Sequence, residues 1–218
     1  MKMTEQAYHE LRDAIVGLQI KPGERLDAES IGASLGFSRA PVIEALNKLR
    51  LEGLVVSRRR VGTFASEIGR SQIDEVFDAR EMIEQRVAPI VIHNVSDRQL
   101  DEIAEILDEG RGLLDATEAS FNYARFMEVD AHFHTEFIRL AEREIYLKWF
   151  GELAAHMQRV RHLFDGDALA RSIEGQREHD AILAAMRRRN VDDLRKELLN
   201  HTRRSRAGAA EILDRQCG

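Results

Sequence analysis

Four residues far apart in the chain, Asp130, His134, His179 and His201, carry side chains able to share one metal ion. Asp130 and His134 stand at i and i+4, which on a helix places them on one side, a turn apart. Both interrupt an apolar stripe of Phe126, Val129, Phe133, Phe137 and Leu140, so the pattern turns them toward a core. His179 falls within the stripe of Ile182, Leu183 and Met186, and His201 within the 3-4 spacing of Val191, Leu194, Leu198, Ser205 and Ile212. Polar groups buried without partners are costly, so a shared partner is expected. One carboxylate oxygen and three imidazole nitrogens suit a divalent transition metal, with zinc first and nickel or manganese also accommodated. Each histidine taken singly also reads as a core residue bonded to a backbone carbonyl or to Asp130. His132 points away from the stripe, and His156, at the edge of its own stripe, is a reserve ligand.

A further pair of charges, Arg80 and Glu84, intrudes into the stripe of Ile73, Val76, Phe77, Ile83, Val87 and Ile90. One reading is an i, i+4 ion pair at a domain or subunit contact. The other is that the Arg80 guanidinium clamps the carboxylate of an effector, with Arg161 a second candidate for that role.

A different chemistry is written near the N-terminus. Asp27 starts a short helix and Gly36 ends it; Ser38 then caps a second helix with Pro41 in its first turn. Val42, Ala45, Leu46 and Leu49 face a core, which leaves Arg39, Ala40, Ile43 and Asn47 outward. Two short helices meeting at a tight glycine turn form a helix-turn-helix. Val55-Val56-Ser57, a basic turn of Arg58-Arg59-Arg60, and Val61-Gly62-Thr63-Phe64-Ala65 read as a hairpin wing. Arg39 is placed to read a base, Ser38 and the three wing arginines to hold phosphates, and Gly62, beside Thr63, to allow close approach in a minor groove. Ile43 offers no hydrogen bond to a base edge but can pack on a thymine methyl.

The elements that position these groups divide in two. Residues 1–68 are expected to be a winged helix-turn-helix, opened by a helix capped by Thr4 and ended by Lys21-Pro22-Gly23, and residues 69–218 an all-helical domain. In the second part the periodicity predicts helices at about 72–93, 96–116, 120–142, 145–164, 169–189 and 192–214, with Ser96-Asp97-Arg98-Gln99 a capping box and Asn190 a stop. Each stripe is incomplete alone, so the helices must pack as a bundle, and the fold class is mainly α. The net charge of −6 resolves into +1 for residues 1–68 and −7 for the rest. A nearly neutral first part binds DNA through clustered arginines, and dimerisation raises its affinity. A single cysteine, Cys217, excludes a disulfide framework, and no apolar run reaches membrane-spanning length, so a cytoplasmic setting is expected.

Pro22-Gly23-Glu24-Arg25-Leu26, Ser38-Arg39-Ala40-Pro41-Val42-Ile43-Glu44-Ala45-Leu46 and Leu51-Glu52-Gly53-Leu54-Val55, in that order, resemble the GntR family of bacterial transcription regulators. Asp130-Ala131-His132-Phe133-His134, Glu178-His179-Asp180-Ala181-Ile182 and Leu199-Asn200-His201 resemble the FCD effector domain of that family's FadR-type branch. The family usually carries Arg where Ile43 stands. The resemblance places the family's metal ligands on Asp130, His134, His179 and His201, and implies a small carboxylate metabolite beside the metal. It further implies a homodimer on an inverted-repeat operator, with repression released by the metabolite. Two other readings remain open: a metal-free regulator sensing an acyl or hydrophobic ligand, and a metal-dependent hydrolase. Against the hydrolase, no inward carboxylate beside the ligands serves as a general base.

Overall fold

In the computed structural model, residues 3–162 and 168–217 are described. The chain divides into two units, Met1–Gly69 with Gln158–His162, and Arg70–Met157 with Leu163–Gly218.

The first unit holds helices α1 (Met3–Val16), α2 (Ala28–Leu35) and α3 (Arg39–Leu51), followed by strands β1 (Val55–Arg58) and β2 (Gly62–Ala65). Ala7, Leu11 and Ile15 of α1 are buried together with Val42, Ala45 and Leu49 of α3, because both helices repeat apolar residues at three- and four-residue intervals. α1 ends at Val16, earlier than the Lys21-Pro22-Gly23 segment, since Leu18 already turns left-handed at φ 56°. Thr4 lies within α1 and not at its cap; its hydroxyl donates to Glu44 at 2.9 Å. Asp27 caps α2, accepting from the Ser30 amide at 2.8 Å, and Gly36 ends it at φ 73°.

The turn between α2 and α3 is tight at one point. A Cβ on Gly32 would lie 2.7 Å from the Phe37 carbonyl oxygen, a backbone atom that cannot swing aside. Gly32→Ala is therefore expected to destabilise the winged unit by about 1–3 kcal/mol, the usual cost of overpacking, as read by urea unfolding of the full chain. An unchanged midpoint would show that the turn relaxes freely.

β1 and β2 pair antiparallel, with Val55 opposite Ala65 and Arg58 opposite Gly62, so the wing is a hairpin tipped by Arg59 and Arg60. The Leu26 amide donates to the Thr63 carbonyl at 2.8 Å and ties the base of the wing to the segment before α2.

The second unit is built from α4 (Arg70–Asn94), α5 (Asp97–Leu114), α6 (Tyr123–Arg139), α7 (Glu144–Arg161, its last turn grouped with the first unit), α8 (Ala168–Arg187) and α9 (Val191–Cys217). The last two positions of the helix expected at 145–164 lie outside the described residues. α4 packs along α9, α5 along α6 and α8, and α8 along α9. Their stripes close one core around Ile83, Val87, Ile103, Phe133, Phe137 and Ile182. Ser96 and Gln99 form the capping box at the start of α5, and the Asn190 side chain accepts from the Asp192 and Asp193 amides to start α9. No helix among the described residues is long and apolar enough to cross a membrane.

Candidate functional site

The second unit gathers His134 from α6, His179 from α8 and His201 from α9, all buried, with ring nitrogens within 4.8 Å of one another. The Nε2 atoms of His134 and His179 are 3.2 Å apart, and the His201 ring centroid lies 5.0 and 4.7 Å from theirs. Asp130, one turn before His134, brings its carboxylate oxygens to 3.6 Å from His179 Nε2 and 4.0 Å from His134 Nε2. Nitrogens bound tetrahedrally to zinc at their usual bond length lie about 3.4 Å apart, so the spacing and the donor set fit a metal.

Two neighbours tune these rings. Glu178, on α8 beside His179, accepts from His201 Nδ1 at 2.7 Å. With Glu178 ionised, that contact places the proton of His201 on Nδ1 and leaves Nε2 as the lone-pair nitrogen. Burial pushes the Glu178 carboxyl up to about 7, against the opposing pull of Arg204, whose Nε lies 2.8 Å away. On the other side Arg80, from α4, is buried: its Nε donates to Glu84 at 2.9 Å and its Nη2 lies 2.8 Å from His134 Nε2. Glu84 also accepts from the Thr202 hydroxyl at 2.9 Å. The i, i+4 ion pair is present, buried within the second unit and not at a contact between the two units, and its guanidinium lies at the histidine cluster. His134 Nε2 has one lone pair, so a metal bound there would displace the Arg80 N–H from it and leave that N–H for another acceptor.

Arg161 lies in the Gln158–His162 segment that groups with the first unit. His156 is half-buried on α7 and outside the cluster, and His132 is exposed. The sequence reading misses Glu178 and Thr202 although both keep the helical spacing, Glu178 four residues before Ile182 and Thr202 four after Leu198, because the neighbouring histidines alone are read as the polar intruders. Glu178→Ala is expected to weaken metal binding about 10–100-fold, as losing a ligand's orienting partner does. Competition against a chromophoric chelator measures it, and unchanged affinity would remove Glu178 from that role.

In the first unit, Arg39, Ala40, Ile43 and Asn47 are exposed along α3, and Arg39, Ile43 and Asn47 line a cavity with Ser57 and Thr63 of the wing. Ser38 stands at the N-cap of α3, but its hydroxyl makes no cap bond to the helix, contrary to its expected capping. Arg59 and Arg60 are exposed at the wing tip, with Arg60 at φ 63°. Arg58 pairs with Glu67 at 2.8 Å and lies over the Phe64 ring. Both members of that pair are more than half exposed, so it is worth little and does not withhold Arg58 from a phosphate. Gly62 stands at φ 141°, and a Cβ there would come 3.2 Å from Arg25 Nε.

Comparison with known proteins places both units. The profile of the FCD domain matches residues 75–204, and that of the bacterial regulatory proteins, gntR family, matches residues 3–65. The chain is 26% identical over 200 residues to the HTH-type transcriptional repressor RspR of Escherichia coli, covering 91% of this chain and 85% of that one. It is 25% identical over 202 residues to the uncharacterized HTH-type transcriptional regulator YdhC of Bacillus subtilis, covering 90% and 86%. Among solved structures, E. coli McbR/YncC shares the fold with a TM-score of 0.79, 21% identity and full coverage of both chains. A putative GntR regulator from Rhodococcus sp. RHA1 gives 0.76 at 24% identity, over 96% and 98% of the two chains.

Proposed function

This chain belongs to the FCD-domain regulators of the bacterial gntR family, a transcription regulator and not an enzyme, and from that premise we propose a metal-assisted sensor of small carboxylates that represses transcription. It binds an inverted-repeat operator as a homodimer. Asp130, His134, His179 and His201 hold a divalent metal, zinc first. A carboxylate metabolite takes an open metal position, and Arg80 orients its charge. The observation that carries this reading is the convergence of three buried imidazoles and one carboxylate from three helices, beside a buried guanidinium. When bound, the metal supplies a Lewis-acidic position for the carboxylate; the chain supplies orientation through Glu178 and the counter-charge of Asp130 and Glu84. The metabolite acts by differential affinity for two arrangements of the bundle, shifting their populations and with them operator affinity.

The test is operator binding by the purified protein with and without a panel of small hydroxy and keto acids, before and after treatment with a chelator. Release by one of them that is abolished by the chelator and restored by zinc is expected. Release that survives complete metal removal would favour the metal-free regulator of an acyl or hydrophobic ligand. On the DNA side, Arg39 reads a base, while Ser38, Arg58, Arg59 and Arg60 hold the backbone and Gly62 and Thr63 let the wing approach closely. Arg39→Ala is expected to weaken operator binding by about 1–3 kcal/mol and random duplex far less. Equal losses on both duplexes, by fluorescence anisotropy, would make Arg39 a phosphate contact.

A further inference from the structure

Ile43 is out of place on the surface it occupies. It is 38% exposed in the middle of α3, in an i, i+4, i+8 row with Arg39 and Asn47. It lines a cavity with Arg39 and Asn47 of its own helix and Ser57 and Thr63 of the wing, all of which carry hydrogen-bonding groups, and of the lining's apolar side chains Leu26 and Leu46 are buried while Ile43 is exposed. The unit's core does not need it: Val42, Ala45, Leu46 and Leu49 are buried without its help. A β-branched residue also has a lower helix propensity than the straight-chain residues that would solvate this face.

In the major groove a DNA duplex presents one apolar group, the C5 methyl of thymine. A β-branched side chain meets it well, because its χ1 is fixed before binding and little rotamer freedom is lost. We infer that Ile43 is a specificity residue that selects thymine through its methyl group. Four residues of helix advance about 6 Å, close to two base steps, so this thymine lies within about two base pairs of the base read by Arg39. The inference rests on α3 being the element that enters the major groove.

The experiment uses the full-length protein. Bound sequences are selected from a random duplex library, and each thymine of the selected half-site is then replaced singly by deoxyuridine, which removes only the methyl. One thymine is expected whose replacement weakens wild-type binding about fourfold, the worth of one buried CH2 group. At that position Ile43→Ala should bind both duplexes alike, while Arg39→Ala, though weaker, should still distinguish them. Because Ile43 is exposed, the alanine variant is expected to unfold with the wild type, which a urea curve checks. The inference is overturned if no thymine responds, or if Ile43→Ala responds as the wild type does. Enrichment of no sequence at all would overturn it together with the reading of α3 on which it rests.

Discussion

Protein purified without chelator is expected to carry about one divalent metal per chain, and His134→Ala and His179→Ala are each expected to carry none. The two rings bring their Nε2 atoms to 3.2 Å of each other from different helices. Removing either leaves at most three protein donors and opens a gap where the ring stood. His132→Ala is the matched control. It removes an imidazole from the same helix, but one whose side chain is 57% exposed and which lies outside the cluster. Metal content measured by atomic spectrometry should therefore separate His132→Ala from the other two. The alternative, that these histidines are only packed core residues, makes a different forecast: no variant changes metal content because the wild type holds none even after reconstitution. Since losing a buried ring also costs stability, circular dichroism must show that the variants remain folded. A folded His134→Ala or His179→Ala that keeps a full equivalent of metal would remove that residue from the ligand set.

That His134, His179 and His201 share a centre is legible in the sequence for a physical reason. Helical periodicity specifies the buried face of each helix, and a polar residue on that face must find something inside. Periodicity does not say what it finds. Glu178 meets His201 across 23 residues, Thr202 meets Glu84 across 118, and Arg80 meets His134 across 54. These pairings follow from which helices lie side by side, and the stripes of α4, α8 and α9 are compatible with several arrangements. In the winged unit the turn residues were more informative. Gly36 ends α2 because its left-handed backbone suits a residue without a Cβ, a local requirement that needs no tertiary partner. Ser38 has an equally local preference for its cap position, yet its side chain leaves the cap bond unmade.

Glu84→Ala is expected to destabilise the second unit by about 3–5 kcal/mol, the range found when one member of a buried ion pair is removed. Glu84 is fully buried and accepts from both the Arg80 guanidinium and the Thr202 hydroxyl, so the substitution strips two buried donors of their acceptor. Asp74→Ala offers the contrast. Its bond to Arg206 is as short, 2.8 Å, but both side chains are about a third exposed, and the loss should stay below about 1 kcal/mol. Urea midpoints of the two variants test the difference; a Glu84→Ala loss no larger than that of Asp74→Ala would mean that water or the histidine cluster takes over the guanidinium. The double substitution Arg80→Met with Glu84→Leu then separates structure from sensing. Replacing a buried pair by apolar groups of similar volume is often neutral, so much of the stability should return. If operator binding also returns but no carboxylate releases it, Arg80 is kept in the core for what it binds. Release that persists in the double variant would leave the pair as packing alone, with the metal as the whole of the carboxylate site.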